Sequence, residues 1–125
     1  MTIHPTIRYD DADAAIRFLT SALGLTETHV SRDDAGRITH AELGHESDIV
    51  MIGTRADPIG PFDTGRAVIY LAVDEVDAHH DRAVAAGATV LTGLVDQPYG
   101  SREYAVTDPE GNVWSVGTYR PEAKA

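Results

Sequence analysis

The stretch Tyr99–Tyr119, YGSREYAVTDPEGNVWSVGTY, decides how the rest of the chain is read. Alternation marks two strands, Arg102–Thr107 and Asn112–Thr118, with Asp108-Pro109-Glu110-Gly111 between them. Proline presets φ at the second turn position, aspartate suits the first and glycine the last, so the four residues predict a tight reversal. Pairing Thr107 with Asn112 would set Val106 opposite Val113 and Tyr104 opposite Ser115. Arg102, Tyr104 and Ser115 then share one face, and Trp114 and Val116 the other, more apolar one.

Working upstream, Ala88–Leu94 reads as a strand, preceded by a helix capped at Asp74, running to about Ala86 and closed by Gly87, and by the strand Ala67–Val73. The same plan occurs earlier. Ile3–Tyr9 is a strand, Asp10-Asp11 caps a helix running to about Leu23, and Gly24 closes it. Ala15, Phe18, Leu19 and Ala22 form one apolar stripe. Three strands follow, Leu25–Arg32, Arg37–Leu43 and Asp48–Gly53. The repeat is visible in the residues themselves: Asp10-Asp11-Ala12-Asp13-Ala14 matches Asp74-Glu75-Val76-Asp77-Ala78. Thr54–Gly65, rich in proline and glycine, separates the copies. The expected organisation is a single domain over residues 1–125, with module one at about 1–53, a linker at 54–65 and module two at about 66–120. The fold class is α+β: two tandem βαβββ modules forming a curved mixed sheet around a cavity, with helices on the outer face.

Counting in twos sorts the strands into faces. Ile69, Leu71 and Val73 make an aliphatic row for the helix side, as do Ile3 with Ile7 and Val50 with Ile52. Pairing Leu43 with Asp48 puts His40 and Glu42 on the face of Met51 and Ile49. The rows away from the helices mix His4, Thr6, Arg8, His40, Glu42, Met51, Val68, Tyr70, Arg102, Tyr104 and Ser115, a composition that suits a partly wet cavity.

Composition narrows the function classes. The chain has 125 residues, enough for one core, and no cysteine, which excludes disulfides, thiolate metal sites and a cysteine nucleophile. A net charge of −10 repels a phosphate backbone, so no nucleic-acid partner is expected; it would favour a cationic ligand or simply keep the protein soluble. The sequence has neither a membrane-length apolar run nor a signal pattern, so a cytoplasmic location and no membrane partner are expected. Phosphate-binding, GxSxG and DxDxDG loops are absent from the sequence. His79 and His80, adjacent on a helix, cannot both turn to one metal and read as surface residues or a helix-edge contact.

Paired βαβββ units, with Tyr-Gly-Ser-Arg-Glu-Tyr and Asp-Pro-Glu-Gly-Asn at 99–112, resemble the vicinal oxygen chelate superfamily of glyoxalases, extradiol dioxygenases and bleomycin-resistance proteins. The resemblance spans roughly residues 3–120. It implies four metal-ligand positions, two per module, which fall on His4, Met51, Val68 and Ser115. Only His4 has the expected chemistry; a thioether, an isopropyl group and a hydroxyl do not hold a catalytic divalent ion. The resemblance thus implies a metal-independent small-molecule binding protein without a cofactor, bleomycin-resistance-like, sequestering an antibiotic or toxic metabolite as a homodimer. Its expected ligand-binding residues are His4, His40, Glu42, Met51, Tyr70, Arg102, Tyr104 and Ser115, with no catalytic residue and no metal ligand. The alternative is a metal-dependent lyase, isomerase or dioxygenase with a displaced site on His4, His40 and Glu42.

Overall fold

A computed structural model describes residues 2–122. The elements run β1 (Thr6–Tyr9), α1 (Ala12–Ser21), β2 (Thr26–Arg32), β3 (Ile38–His45) and β4 (Asp48–Thr54), then β5 (Val68–Ala72), α2 (Val76–Ala85), β6 (Thr89–Asp96), β7 (Arg102–Thr107) and β8 (Val113–Gly117). This is βαβββ twice over. Each module makes its own four-stranded mixed sheet, ordered β1-β4-β3-β2 and β5-β8-β7-β6, in which the first strand lies parallel to the last and the other pairings are antiparallel. Among the described residues no ladder joins the two sheets.

The caps show how local sequence starts the helices. Asp11 caps α1, its carboxylate accepting from the Ala14 amide at 3.0 Å, and Asp13 adds a negative charge in the first turn. Helix α2 begins one residue later than its sequence suggests. Glu75 takes the cap position without a side-chain bond, while Asp74 pairs with Arg120 at 2.9 Å. Gly24, with φ of 73°, supplies the left-handed turn that ends α1.

The helix-side rows of both sheets merge into one core. Trp114, Tyr9, Tyr104, Leu19, Leu23, Ile38, Leu43, Ile52, Val106 and Val116 are its largest fully buried side chains. Val50 from the first sheet and Ile69 and Leu71 from the second line one crevice where the modules meet. Ile3 is the exception to the expected row. β1 starts only at Thr6, and Ile3 is 95% exposed. No described helix is long and apolar enough to cross a membrane.

The decisive hairpin is longer by one residue than its sequence suggests. Thr107 pairs with Val113, not Asn112. Asp108 is the reason: one oxygen accepts from the amides of Glu110 and Asn112, the other from the Tyr9 hydroxyl at 2.6 Å and the Trp114 indole at 3.1 Å. Asn112 is drawn into the loop, its amide nitrogen on Asp108 and its oxygen accepting from the Ala67 amide. One extra residue in the loop reverses the parity of β7 against β8.

Candidate functional site

The corrected register moves two of the expected site residues. Tyr104 pairs with Val116 and lies with Trp114 on the helix side, 1% exposed. Its hydroxyl meets His79 Nδ1 at 2.5 Å, and burial raises its pKa. Arg102 shares that side and is held by Asp77 at 2.8 Å and Asp96 at 3.2 Å, so it clamps β7 to α2 and β6. Neither side chain reaches the face away from the helices. Glu103, Ala105 and Thr107 take that place, opposite Gly117, Ser115 and Val113.

His40 and Glu42 do lie on the face of Met51 and Ile49. The ladder pairs Leu43 with Val50, two residues from the expected partner, and a shift of two preserves the face. His40 Nε2 lies 2.8 Å from a Glu42 oxygen, and the contact holds the Glu42 carboxyl below its usual range, with His29 and His4 adding to the effect. A bulge between Glu27 and His29 places His29 opposite Glu42, its ring 6.0 Å from that of His40. His4 precedes β1. Its Nδ1 donates to the Ile49 carbonyl at 2.9 Å and its Nε2 accepts from the Thr2 hydroxyl at 2.6 Å. Both ring nitrogens are therefore engaged. Among the described residues no three histidine, aspartate or glutamate side chains converge as metal ligands. At the other expected ligand positions, Met51, Val68 and Ser115 carry a thioether, an isopropyl group and a hydroxyl, which do not fit a catalytic divalent ion.

The face away from the helices on the second sheet carries a crevice of about 670 Å³, lined by Tyr70, Tyr99, Glu103, Ser115, Tyr119 and Pro121. Ladder pairing puts Tyr70 beside Ser115 and Glu103 beside Gly117. Gly117 is required by space: a Cβ there would lie 2.5 Å from Glu103 Cγ and 2.8 Å from the Tyr70 hydroxyl. One Glu103 oxygen accepts from the Tyr99 hydroxyl at 2.8 Å, the other from Ser101 Oγ at 2.9 Å. Ser101 Oγ also accepts from the Tyr119 amide, and the Tyr70 hydroxyl donates to the Tyr119 carbonyl at 2.7 Å. The Tyr99 and Tyr119 rings meet edge to face, 6.4 Å apart at 83°. Of the expected site residues, this crevice brings together Tyr70 and Ser115. His4, His40, Glu42 and Met51 stay on the first sheet and do not line it. Tyr99, Glu103 and Tyr119 escaped the sequence reading. Glu103 becomes visible only with the true loop length, and the two tyrosines flank the hairpin outside its strands.

A family model for the glyoxalase/bleomycin resistance protein/dioxygenase superfamily matches residues 2–116. The Mb0911c protein of Mycobacterium bovis is 34% identical over 126 residues, covering 92% of this chain and 81% of that protein. The crystal structure of TioX from Micromonospora sp. ML1 superposes with a TM-score of 0.79 at 29% identity, covering 96% of this chain and 99% of TioX. The lactoylglutathione lyase of Agrobacterium tumefaciens shares the fold alone, with a TM-score of 0.72 at 23% identity over 94% and 92% of the two chains.

Proposed function

The chain belongs to the glyoxalase/bleomycin resistance protein/dioxygenase superfamily, and from that premise we propose that it is a metal-independent small-molecule binding protein that sequesters its ligand, as a bleomycin-resistance protein would. The observation that carries this reading is the tyrosine-lined crevice on the second sheet, which includes Ser115, one of the four positions where the family resemblance implies a metal ligand. An aromatic wall with a few fixed polar groups is what a binding pocket needs, and it supplies no Lewis acid. The protein works as a homodimer in this reading. Val68 is 73% exposed, Tyr99 64% and Tyr119 53%, and a second copy laid against these open faces would remove that apolar surface from water.

A thermal-shift screen of aromatic and cationic compounds tests the binding reading, since ligand at one hundred times its Kd adds about 2.7 kcal/mol of stability. Stabilising hits that persist in chelator are the expected result. A stoichiometric divalent ion on the purified protein, whose removal abolishes a catalytic activity, would overturn it. Light scattering checks the assembly: a particle of one chain mass rejects the dimer.

A further inference from the structure

Resting on that binding reading, we infer that the crevice takes a cationic head group, a quaternary or protonated amine carried on an organic ligand. Glu103 carries the first part of the argument. Its two oxygens accept hydrogen bonds from the neutral hydroxyls of Tyr99 and Ser101, and among the described residues no arginine, lysine or histidine pairs with it. Among the described residues Glu46 pairs with Arg120, Glu110 with Arg55, and Glu42 shares a hydrogen bond with His40; Glu27 and Glu75, like Glu103, make no ion pair, but only Glu103 lines the tyrosine crevice. A carboxylate offers about four lone-pair sites, so two neutral donors leave both its charge and part of its accepting capacity to a ligand.

The rings carry the second part. Tyr99 and Tyr119 stand nearly perpendicular, two walls of a corner, and Tyr70 lines the same crevice. The face of each ring is the negative end of its quadrupole, and walls of this kind hold alkylated ammonium groups. The lining includes no basic side chain that would neutralise an anionic ligand. Glu103 would repel such a ligand directly, and the net charge of −10 adds a field of the same sign. The Tyr99 hydroxyl, whose pKa Glu103 raises, stays protonated and keeps its bond to the carboxylate. Gly117 lets the Glu103 chain and the Tyr70 hydroxyl lie together on the floor of the crevice.

The test uses two probes of nearly equal shape, 3-hydroxyphenyltrimethylammonium and neutral 3-tert-butylphenol, titrated into the full chain and followed by NMR. The cation should bind about tenfold tighter or better. That preference should shrink at high salt and vanish in Glu103→Gln, which keeps the side-chain shape and an accepting oxygen. Tyr119→Leu, a second variant that spares the core, should weaken the cation more than the neutral probe. Equal affinity for the two probes, or a preference that survives in Glu103→Gln, overturns the cationic head group and leaves the binding reading standing. Binding of neither probe also overturns it, and the thermal-shift screen then judges the binding reading by itself.

Discussion

The two modules share strand order, ladder pattern and helix placement, yet their outward faces have different chemistry. In module one, His40 and Glu42 hydrogen-bond to each other, and His29, its ring beside that of His40, bonds to Ser31. In module two, Tyr70, Tyr99 and Tyr119 surround a carboxylate with no cation beside it among the described residues. The helix-side rows look alike: Ile7, Val50 and Ile52 in one sheet, Leu71, Trp114 and Val116 in the other, all buried. The shared core constrains these rows, and nothing in the core constrains the outward ones. A duplicated unit can therefore keep its fold and change its ligand chemistry one face at a time.

The β3–β4 and β7–β8 turns differ as much as the faces, and that difference predicts the largest effect. Each turn docks on the opposite module. Glu110, in the β7–β8 turn, accepts from the Asp10 and Asp11 amides at the start of α1, and beside it Asp108 accepts from buried Tyr9. Asp108→Ala would leave the Tyr9 hydroxyl and the Trp114 indole buried without acceptors, a loss of about 3 kcal/mol or more in urea unfolding. Retention of wild-type stability would mean that the turn does not join the modules.

The glycines that make room on each outward face separate stability from binding. A Cβ on Gly53 would sit 2.9 Å from the Thr39 carbonyl, which is backbone and cannot swing away. A Cβ on Gly117 meets the side chains of Glu103 and Tyr70, which can. Gly53→Ala should therefore cost about 2–3 kcal/mol and Gly117→Ala about 1 kcal/mol, within the usual range for overpacking. Only Gly117→Ala should abolish probe binding, because only it displaces the floor of the crevice. The reverse ranking by NMR titration and melting would move the site to module one.

Where the modules meet, His79 gives a pH signature. Its Nε2 donates to the Leu23 carbonyl at 2.9 Å and its Nδ1 faces the Tyr104 hydroxyl. Burial, with His45 and Arg82 as nearby positive groups, lowers its pKa below the ordinary 6.5, against the raising effect of the Leu23 carbonyl. Below 6.5 the unfolded chain takes up a proton that the folded chain refuses, so stability at neutral pH is lost progressively as pH falls through that window. Urea unfolding between about pH 7 and 5.5 should show this decline, and His79→Gln should flatten it. An unchanged slope in the variant would assign the decline to other groups.

How far the sequence reaches follows from the range of the forces involved. The Asp11 cap, the Gly24 stop and the aliphatic row of β5 depend on neighbours a few residues away, and their signals are local. The strand pairing of β7 with β8 depends on Asp108 reaching Tyr9, 99 residues back. No turn rule contains that contact, so the predicted loop is one residue short and Tyr104 and Arg102 come out on the wrong face. His40 and Glu42 keep their expected face because a two-residue shift in pairing leaves parity intact. The bulge in β2 that turns His29 towards Glu42, like the loop extension, leaves no mark in hydrophobic alternation.

The smallest effect belongs to the module-one counterpart of the Asp108 turn. Glu46 adopts a φ of 55° and bridges to Arg120, which also holds Asp74 near the start of α2. In outline this docking resembles the one at Asp108. Physically it does not, because water reaches every member: the side chains of Arg120, Glu46 and Asp74 are 41%, 52% and 82% exposed. Exposed ion pairs are screened, and ordering two long side chains offsets most of what the charges gain. Glu46→Ala should leave the melting midpoint almost where it was, while His45, whose Nε2 donates to the Ala72 carbonyl at 2.9 Å, keeps the turn in place. Glu46→Gly, which also relieves the positive φ, should be as stable as wild type or slightly more so. A large loss in either variant would show that the two turns contribute equally, and the asymmetry between the modules would then stop at their outward faces.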